Sequence, residues 1–152
     1  MPISSFRKLL GQMFQAEDTA APLDHDDAQL ALTALLVRLA RADGHFSPAE
    51  RARILRVIRA RYALDDATAL ALLAEAEKTE AEAPDTVRFT RAIKASVAFD
   101  ERLGVISALW EIALADGVRE AEEDALIRMV SSLLGVSDFD SAQARQQVER
   151  GQ

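Results

Sequence analysis

The stretch LARADGHFSPAER, residues 39–51, returns 73 positions later as IALADGVREAEED, residues 112–124. In both copies an alanine-rich helical run ends in Ala-Asp-Gly, and five residues separate the glycine from a following glutamate. Glycine just past a helix end is expected, because it adopts the left-handed backbone conformation without a Cβ penalty. Aspartate is not expected there, because the helix C-terminus carries partial negative charge. The repeated aspartate therefore needs an explanation.

The similarity between the two copies continues on both sides of the motif. The matching pairs are Leu36 with Leu109, Leu39 with Ile112, Ala40 with Ala113, Ala52 with Ala125, Ile54 with Ile127 and Val57 with Val130. Each copy is a helix, the motif and a second helix. Two copies are too few for a solenoid, which needs about three stacked units. We therefore predict two helical hairpins, related by a pseudo-twofold rotation around one core.

Helical periodicity dominates the rest of the chain, and strand alternation is absent. We therefore predict an all-α fold with seven or eight helices. The expected helices cover about 28–42, 48–62, part of 64–85, 85–98, 100–115, 120–134 and a last segment that begins near Ser137. The expected N-caps include Asp65 or Asp66, Asp100 and Ser137.

The chain divides into an N-terminal amphipathic helix (1–15), an acidic linker (16–27) and a helical domain (28–150). The apolar stripe of the first segment consists of Ile3, Phe6, Leu10 and Met13, widened by Leu9 and Phe14. We predict that residues 3–14 dock on the domain or on a partner chain through Phe6, Leu10 and Met13. A membrane-surface role is the alternative, because Arg7 and Lys8 add positive charge beside an apolar face.

Composition excludes several classes of protein. The length of 152 residues fits one domain with its own core. A net charge of −7 argues against a nucleic-acid binder, which usually carries a basic excess. The absence of cysteine excludes disulfides, thiolate catalysis and cysteine-based zinc sites. No apolar run approaches the ~20 residues that cross a bilayer, and the N-terminus lacks an uninterrupted apolar signal region. We expect a cytoplasmic protein.

The charge is unevenly distributed along the chain. Residues 28–64 hold seven arginines against Asp43 and Glu50, a net of +5, whereas residues 65–85 have a net of −6. We interpret these as neighbouring helices whose charges pair or face solvent. A site for an anionic partner on the arginine-rich helix 48–62 is the alternative.

The motif Asp-Gly-x5-Glu has the spacing of the second half of an EF-hand loop. The two earlier ligand positions would be Leu39 and Arg41 in the first copy, and Ile112 and Leu114 in the second. None of these side chains can ligate calcium, so we reject a standard EF-hand.

Two hypotheses remain for the four acids Asp43, Glu50, Asp116 and Glu123. In the first they are helix caps: Ser47-Pro48-Ala49-Glu50 has the form of a capping box. The second copy has Glu120 in place of Ser47, and glutamate is a poor N-cap. In the second hypothesis the four carboxylates converge across the pseudo-twofold axis. They would then repel each other unless protonated, capped or bound to a cation, and oxygen ligands suit Ca²⁺, Mg²⁺ or Mn²⁺.

The paired ADG…E copies, the stretch RLGVISALWEIALADG and the stretch LIRMVSSLLGVSD resemble the tellurite-resistance protein B (TerB-like) family over about residues 25–148. This resemblance implies an all-helical fold with twofold pseudosymmetry, a cluster of acids that the four acids match by position, and a divalent-metal link. It also implies a role in tellurite or other chemical-stress responses.

The remaining candidates favour structural roles. His45 lies beside Asp43 and could join a metal site, but a loop histidine is more often exposed; His25 is the only other histidine.

Trp110 matches Val37 of the first copy, so we expect it in the core. The chain has no cysteine nucleophile, no Gly-rich phosphate loop and no recognisable Ser-His-Asp pattern. We therefore predict a non-enzymatic module that binds a divalent cation or a protein partner; a hydrolase using the acids is the remote alternative.

Overall fold

The structure is a computed structural model of the chain, and it describes residues 25–42, 44–83, 85–115 and 120–151. These residues form seven helices and no strand, which confirms the all-α prediction. The helices are α1 (His25–Ala40), α2 (Pro48–Tyr62), α3 (Asp66–Glu82), α4 (Val87–Ser96), α5 (Phe99–Ala113), α6 (Ala121–Leu133) and α7 (Asp138–Gly151). The predicted N-terminal helix lies outside the described residues.

Helix α1 is the centre of the domain. Residues 30–37 are all at most 1% exposed, so the helix is buried around its whole circumference. It packs against each of the helices α2 to α6. Only a helix that is apolar on all sides can take this place. Its one polar residue in this stretch, Thr33, donates its hydroxyl hydrogen to the carbonyl oxygen of Gln29 at 2.7 Å.

The two hairpins have the arrangement of helices that the repeat predicts. Helix α1 ends at Ala40 and α5 at Ala113, while α2 begins at Pro48 and α6 at Ala121. Both pairs of positions are separated by the offset of the repeat. Helix α1 contacts α5, α2 contacts α5, and α1 contacts α6, so exchanging the hairpins preserves the contacts. The rotation that relates the hairpins stays a prediction.

Two of the predicted caps, Asp65 and Ser137, begin helices as expected. The Asp65 carboxylate accepts from the Thr68 amide at 2.8 Å, and the Ser137 hydroxyl accepts from the Asp140 amide at 3.1 Å. Helix α6 ends before Gly135, which has a φ of 75°. Its neighbour Val136 donates its amide to the Ser131 carbonyl at 2.8 Å, as in a Schellman ending.

Two helix boundaries differ from the predictions. Asp100 is not a cap: α5 begins at Phe99 with Ala98 as its N-cap, and Asp100 lies in the first turn. A carboxylate there faces the positive end of the helix, which accounts for its position without a cap. Helix α1 begins at His25, inside the predicted linker, because an acid-rich segment also suits the first turn of a helix.

Charge pairing joins the basic and acidic parts of the chain, which confirms the interpretation of the uneven charge. Arg51 on α2 binds Glu77 on α3 at 3.0 Å, and Arg59 binds Asp66 at the start of α3. These pairs lie near the surface, so each contributes ~0–1 kcal/mol to stability.

A more deeply placed cluster joins α1, α3 and the segment before α4. The Glu80 carboxylate accepts from Arg38 Nε at 3.0 Å and from Arg41 Nη1 at 2.6 Å. Arg38 also donates to the carbonyls of Glu80 and Ala83, at 3.2 and 2.8 Å. The side chains of Arg38 and Glu80 are only 16% and 10% exposed. Removing one partner would leave the other charge buried, which costs about 3–5 kcal/mol.

Arg102 on α5 also donates hydrogen bonds to backbone carbonyls of other helices. Its guanidinium donates to the carbonyls of Lys94 and Val97 at the end of α4, at 3.2 and 3.0 Å. It also donates to the Leu134 carbonyl at the end of α6, at 3.2 Å. Helix ends leave such carbonyls without intrahelical partners. One arginine therefore ties the ends of two helices to a third.

None of the described helices has the length and apolarity needed to cross a bilayer.

Candidate functional site

The first copy of the motif forms a complete capping box. The Ser47 hydroxyl accepts from the Glu50 amide at 3.1 Å, and Glu50 Oε1 accepts from the Ser47 amide at 2.9 Å. Pro48 fills the first helical position, where no amide hydrogen is needed. The capping hypothesis is therefore confirmed for Glu50. The cap accounts for this acid without a cation.

The loop of the first copy also has the expected glycine geometry. Gly44 has a φ of 86°, in the left-handed region, and a Cβ there would touch nothing within 4 Å. Its amide donates to the Arg41 carbonyl at 2.9 Å. His45 is exposed, in agreement with the prediction for a loop histidine.

The second copy uses its acids differently. Glu120 is the N-cap of α6, and its side chain makes no capping hydrogen bond. This outcome confirms that glutamate in place of Ser47 breaks the capping box. Glu123, in the first turn of α6, is only 8% exposed. A carboxylate at this depth has lost most of its hydration, and this loss must be offset by hydrogen bonds or by positive charge.

The two glutamates of the repeat occupy equivalent positions in the two hairpins. Glu50 and Glu123 each lie in the first turn of the second helix of a hairpin. Asp43 and Asp116 lie outside the described residues. Within residues 25–42, 44–83, 85–115 and 120–151, no three His, Asp or Glu side chains form a group that could hold a metal. Convergence of all four acids stays a prediction.

A cleft of about 390 Å³ lies beside the second copy, between α5, α6 and α7. Its lining residues include Trp110, Arg128, Arg145 and Asp124, the residue after Glu123. Trp110 is only 6% exposed, as predicted for a core residue. Its indole nitrogen donates to the Ser141 hydroxyl at 3.2 Å, and the Arg145 guanidinium lies over its ring at 5.9 Å. The only tryptophan therefore lies close to the second copy of the motif.

The sequence did not indicate this cleft. Arg128 and Arg145 lie on different helices, and no local spacing predicts that they line the same cavity as Trp110. The nearest signal is the N-cap Ser137, which fixes the start of α7 and therefore the face that its residue Ser141 presents.

The geometry defines a class of small all-helical domains that contain two helical hairpins, each with an Asp-Gly-x5-Glu motif that ends in the first turn of its second helix. A family model for the tellurite resistance protein TerB matches residues 29–146, which is most of the chain. The chain belongs to this TerB family. No curated protein and no solved structure gives a significant match.

Proposed function

We propose that the chain is a non-catalytic TerB module of a chemical-stress response, in which the second copy of the motif binds a divalent cation and the first copy is structural. The observation that carries this proposal is the contrast between the two glutamates. Glu50 completes a capping box, whereas Glu123 is buried beside an N-cap whose side chain does not cap.

The chemistry of the second copy favours a hard cation. Glu123 supplies a largely dehydrated carboxylate, and Asp116 lies one residue before the glycine of the preceding loop. Oxygen ligands of this kind suit Ca²⁺, Mg²⁺ or Mn²⁺. A bound cation would offset the repulsion between the two acids.

The alternative is a metal-free module that binds a protein partner, with the acids acting only as caps. The capping box of Glu50 supports this alternative, because its two hydrogen bonds account for this acid without a cation. A hydrolase that uses the acids is the least supported candidate. The stress role rests on family membership, which also supports the non-catalytic character. The cytoplasmic location is an expectation from the sequence, which has no cysteine and no long apolar run.

Melting curves of chelator-stripped protein with and without Ca²⁺, Mg²⁺ or Mn²⁺ test the proposal. At about 100 times the dissociation constant, a cation adds ~2.7 kcal/mol to the stability of the wild type. This corresponds to a rise of several degrees, at ~2–4 °C per kcal/mol for a chain of this size. Trp110 fluorescence provides a second readout, because Trp110 lies in the cleft beside the second copy.

Matched substitutions separate the two copies. Glu123→Gln should lose most of the ion-induced rise, whereas Glu50→Gln should keep it, since a capping box also accepts glutamine. Equal losses in both variants would mean that the two motifs share one site. A wild-type melting point that no ion changes would exclude the cation and leave the metal-free module.

A further inference from the structure

A groove opens at the start of α1, where the described chain begins. It has a volume of about 540 Å³ and lies between α1, α4, α5 and the end of α2. Its apolar walls come from Ala28, Leu32, Ile93, Val97 and Val105. This size is within the range of ~300–1,000 Å³ typical of small-ligand pockets, so the groove can accept one or two large apolar side chains.

The rim of the groove carries acidic charge. Asp100 and Glu101, in the first turn of α5, are both exposed and line it. Arg61 also lines it, and donates to the Glu101 carbonyl at 3.4 Å while its guanidinium lies against Gly104. The two carboxylates therefore outnumber the single arginine, and the rim favours a basic ligand.

We propose that residues 3–14 of the same chain occupy this groove as an amphipathic helix, with Phe6 and Leu10 in the apolar part and Arg7 and Lys8 beside Asp100 and Glu101. The chain outside the described residues supports this occupant. Residues 15–24 separate the segment from α1, and ten residues span at most roughly 33–36 Å. Ala28 and Gln29, in the first turns of α1, line the groove, so the tether starts at its edge.

The tether also makes binding favourable without extensive contact. A short linker gives the tethered segment an effective concentration on the order of millimolar at the groove. The segment has a stripe of apolar residues to bury, and its local charge is opposite to that of the rim.

Paramagnetic relaxation enhancement in the full chain tests this inference. The chain has no native cysteine, so Gln12→Cys carries a single spin label. We expect broadening of the amide signals of Ala28, Val97, Glu101 and Gly104. The same labelled chain with Phe6→Glu and Leu10→Glu should lose this broadening. Broadening confined to another face, or unchanged in the Phe6→Glu and Leu10→Glu variant, would overturn the proposal.

Charge reversal tests the rim. Asp100→Lys with Glu101→Lys should remove most of the broadening, whereas Glu122→Lys with Glu149→Lys, an equal change at exposed positions away from the groove, should preserve it. Equal effects of the two pairs would contradict a specific rim. Helical circular dichroism checks that every variant is folded.

A mixed sample identifies which chain supplies the segment. Protein that carries the spin label but no nitrogen-15 is mixed with nitrogen-15-enriched protein that carries no spin label, at the same total concentration. Absence of broadening in the enriched chain supports docking within one chain, and broadening at the groove would assign the segment to a second copy instead. Phosphatidylglycerol vesicles are then added to the spin-labelled chain at concentrations that bind the protein. If the broadening at the groove disappears, the segment prefers the membrane surface to the groove.

Discussion

At the scale of single residues, α2 and α6 are both followed by a residue with left-handed backbone, but only one of these residues is glycine. Ala63, after α2, has a φ of 52° and a ψ of 47°, in the left-handed region. Gly135, after α6, has a φ of 75°. Left-handed backbone costs a residue with a Cβ about 1–2 kcal/mol, and glycine avoids this cost. Ala63 is therefore a strained position in an otherwise regular fold.

Ala63→Gly should stabilise the protein by about 0.5–1 kcal/mol, because the relief of strain exceeds the added entropy of the unfolded chain. The melting point should rise by ~1–4 °C. Gly135→Ala is the matched control and should lower it by a similar amount. A Cβ at Gly135 meets nothing within 4 Å, so only the backbone conformation changes. A lower melting point for Ala63→Gly would contradict the strain.

Tyr62 is the only tyrosine, so its titration can be followed alone. Burial raises its pKa from 10.0 to about 12, and Arg61 opposes this shift. Because the folded pKa exceeds the unfolded one, its contribution to stability is complete below pH 10 and is lost as pH rises to about 12. The phenolate absorbance should therefore appear near pH 12 in protein that is still helical by circular dichroism. A midpoint near pH 10 in folded protein would disprove the burial.

At the scale of helices, α3 carries two glutamates that pair with arginines in different environments. Glu80 lies in the inner cluster with Arg38 and Arg41, whereas Glu77 meets Arg51 nearer to solvent. Glu80→Ala should cost about 3–5 kcal/mol, because it leaves Arg38 buried without its counter-charge. Glu77→Ala should cost ~0–1 kcal/mol.

Alanine is a strong helix former, so neither substitution weakens α3 itself. Urea unfolding of both variants measures the difference, which should appear in the midpoint and not in the slope. Similar losses for the two variants would mean that the inner cluster is as well hydrated as the surface pair.

At the scale of the whole molecule, the buried apolar residues of all seven helices form one cluster. A single core predicts a single cooperative transition. Unfolding followed by Trp110 fluorescence should therefore coincide with unfolding followed by the helical signal. Separate midpoints would indicate that the hairpin of α5 and α6 unfolds independently of α1.

The parts of this molecule that follow from local spacing were predictable from the sequence. The capping box of Glu50, the cap at Asp65 and the helix-ending glycine depend on residues within one or two turns. The offset of the repeat also predicted where α5 and α6 lie. The cap predicted for α5, Asp100, was wrong because several neighbouring residues can begin a helix there.

Features that depend on tertiary packing were not predictable. The pairing of Arg38 with Glu80 requires the crossing of α1 and α3, which no spacing encodes. The burial of Glu123 depends on how α6 packs, and the sequence indicated only that its capping role was doubtful. The role of Glu50 was therefore predictable, because it depends on residues within one helical turn. The environment of Glu123 was not, because it depends on tertiary packing.

The enclosure of α1 has a consequence for the synthesis of the protein. This helix leaves the ribosome first among the described elements, yet one of its covering partners, α6, begins only at Ala121. At ~5–20 residues per second, translation from Ala40 to Ala121 takes roughly 4–16 s. During that time an apolar helix with no polar face is only partly covered. We therefore expect chaperones that bind emerging apolar segments to bind this nascent chain.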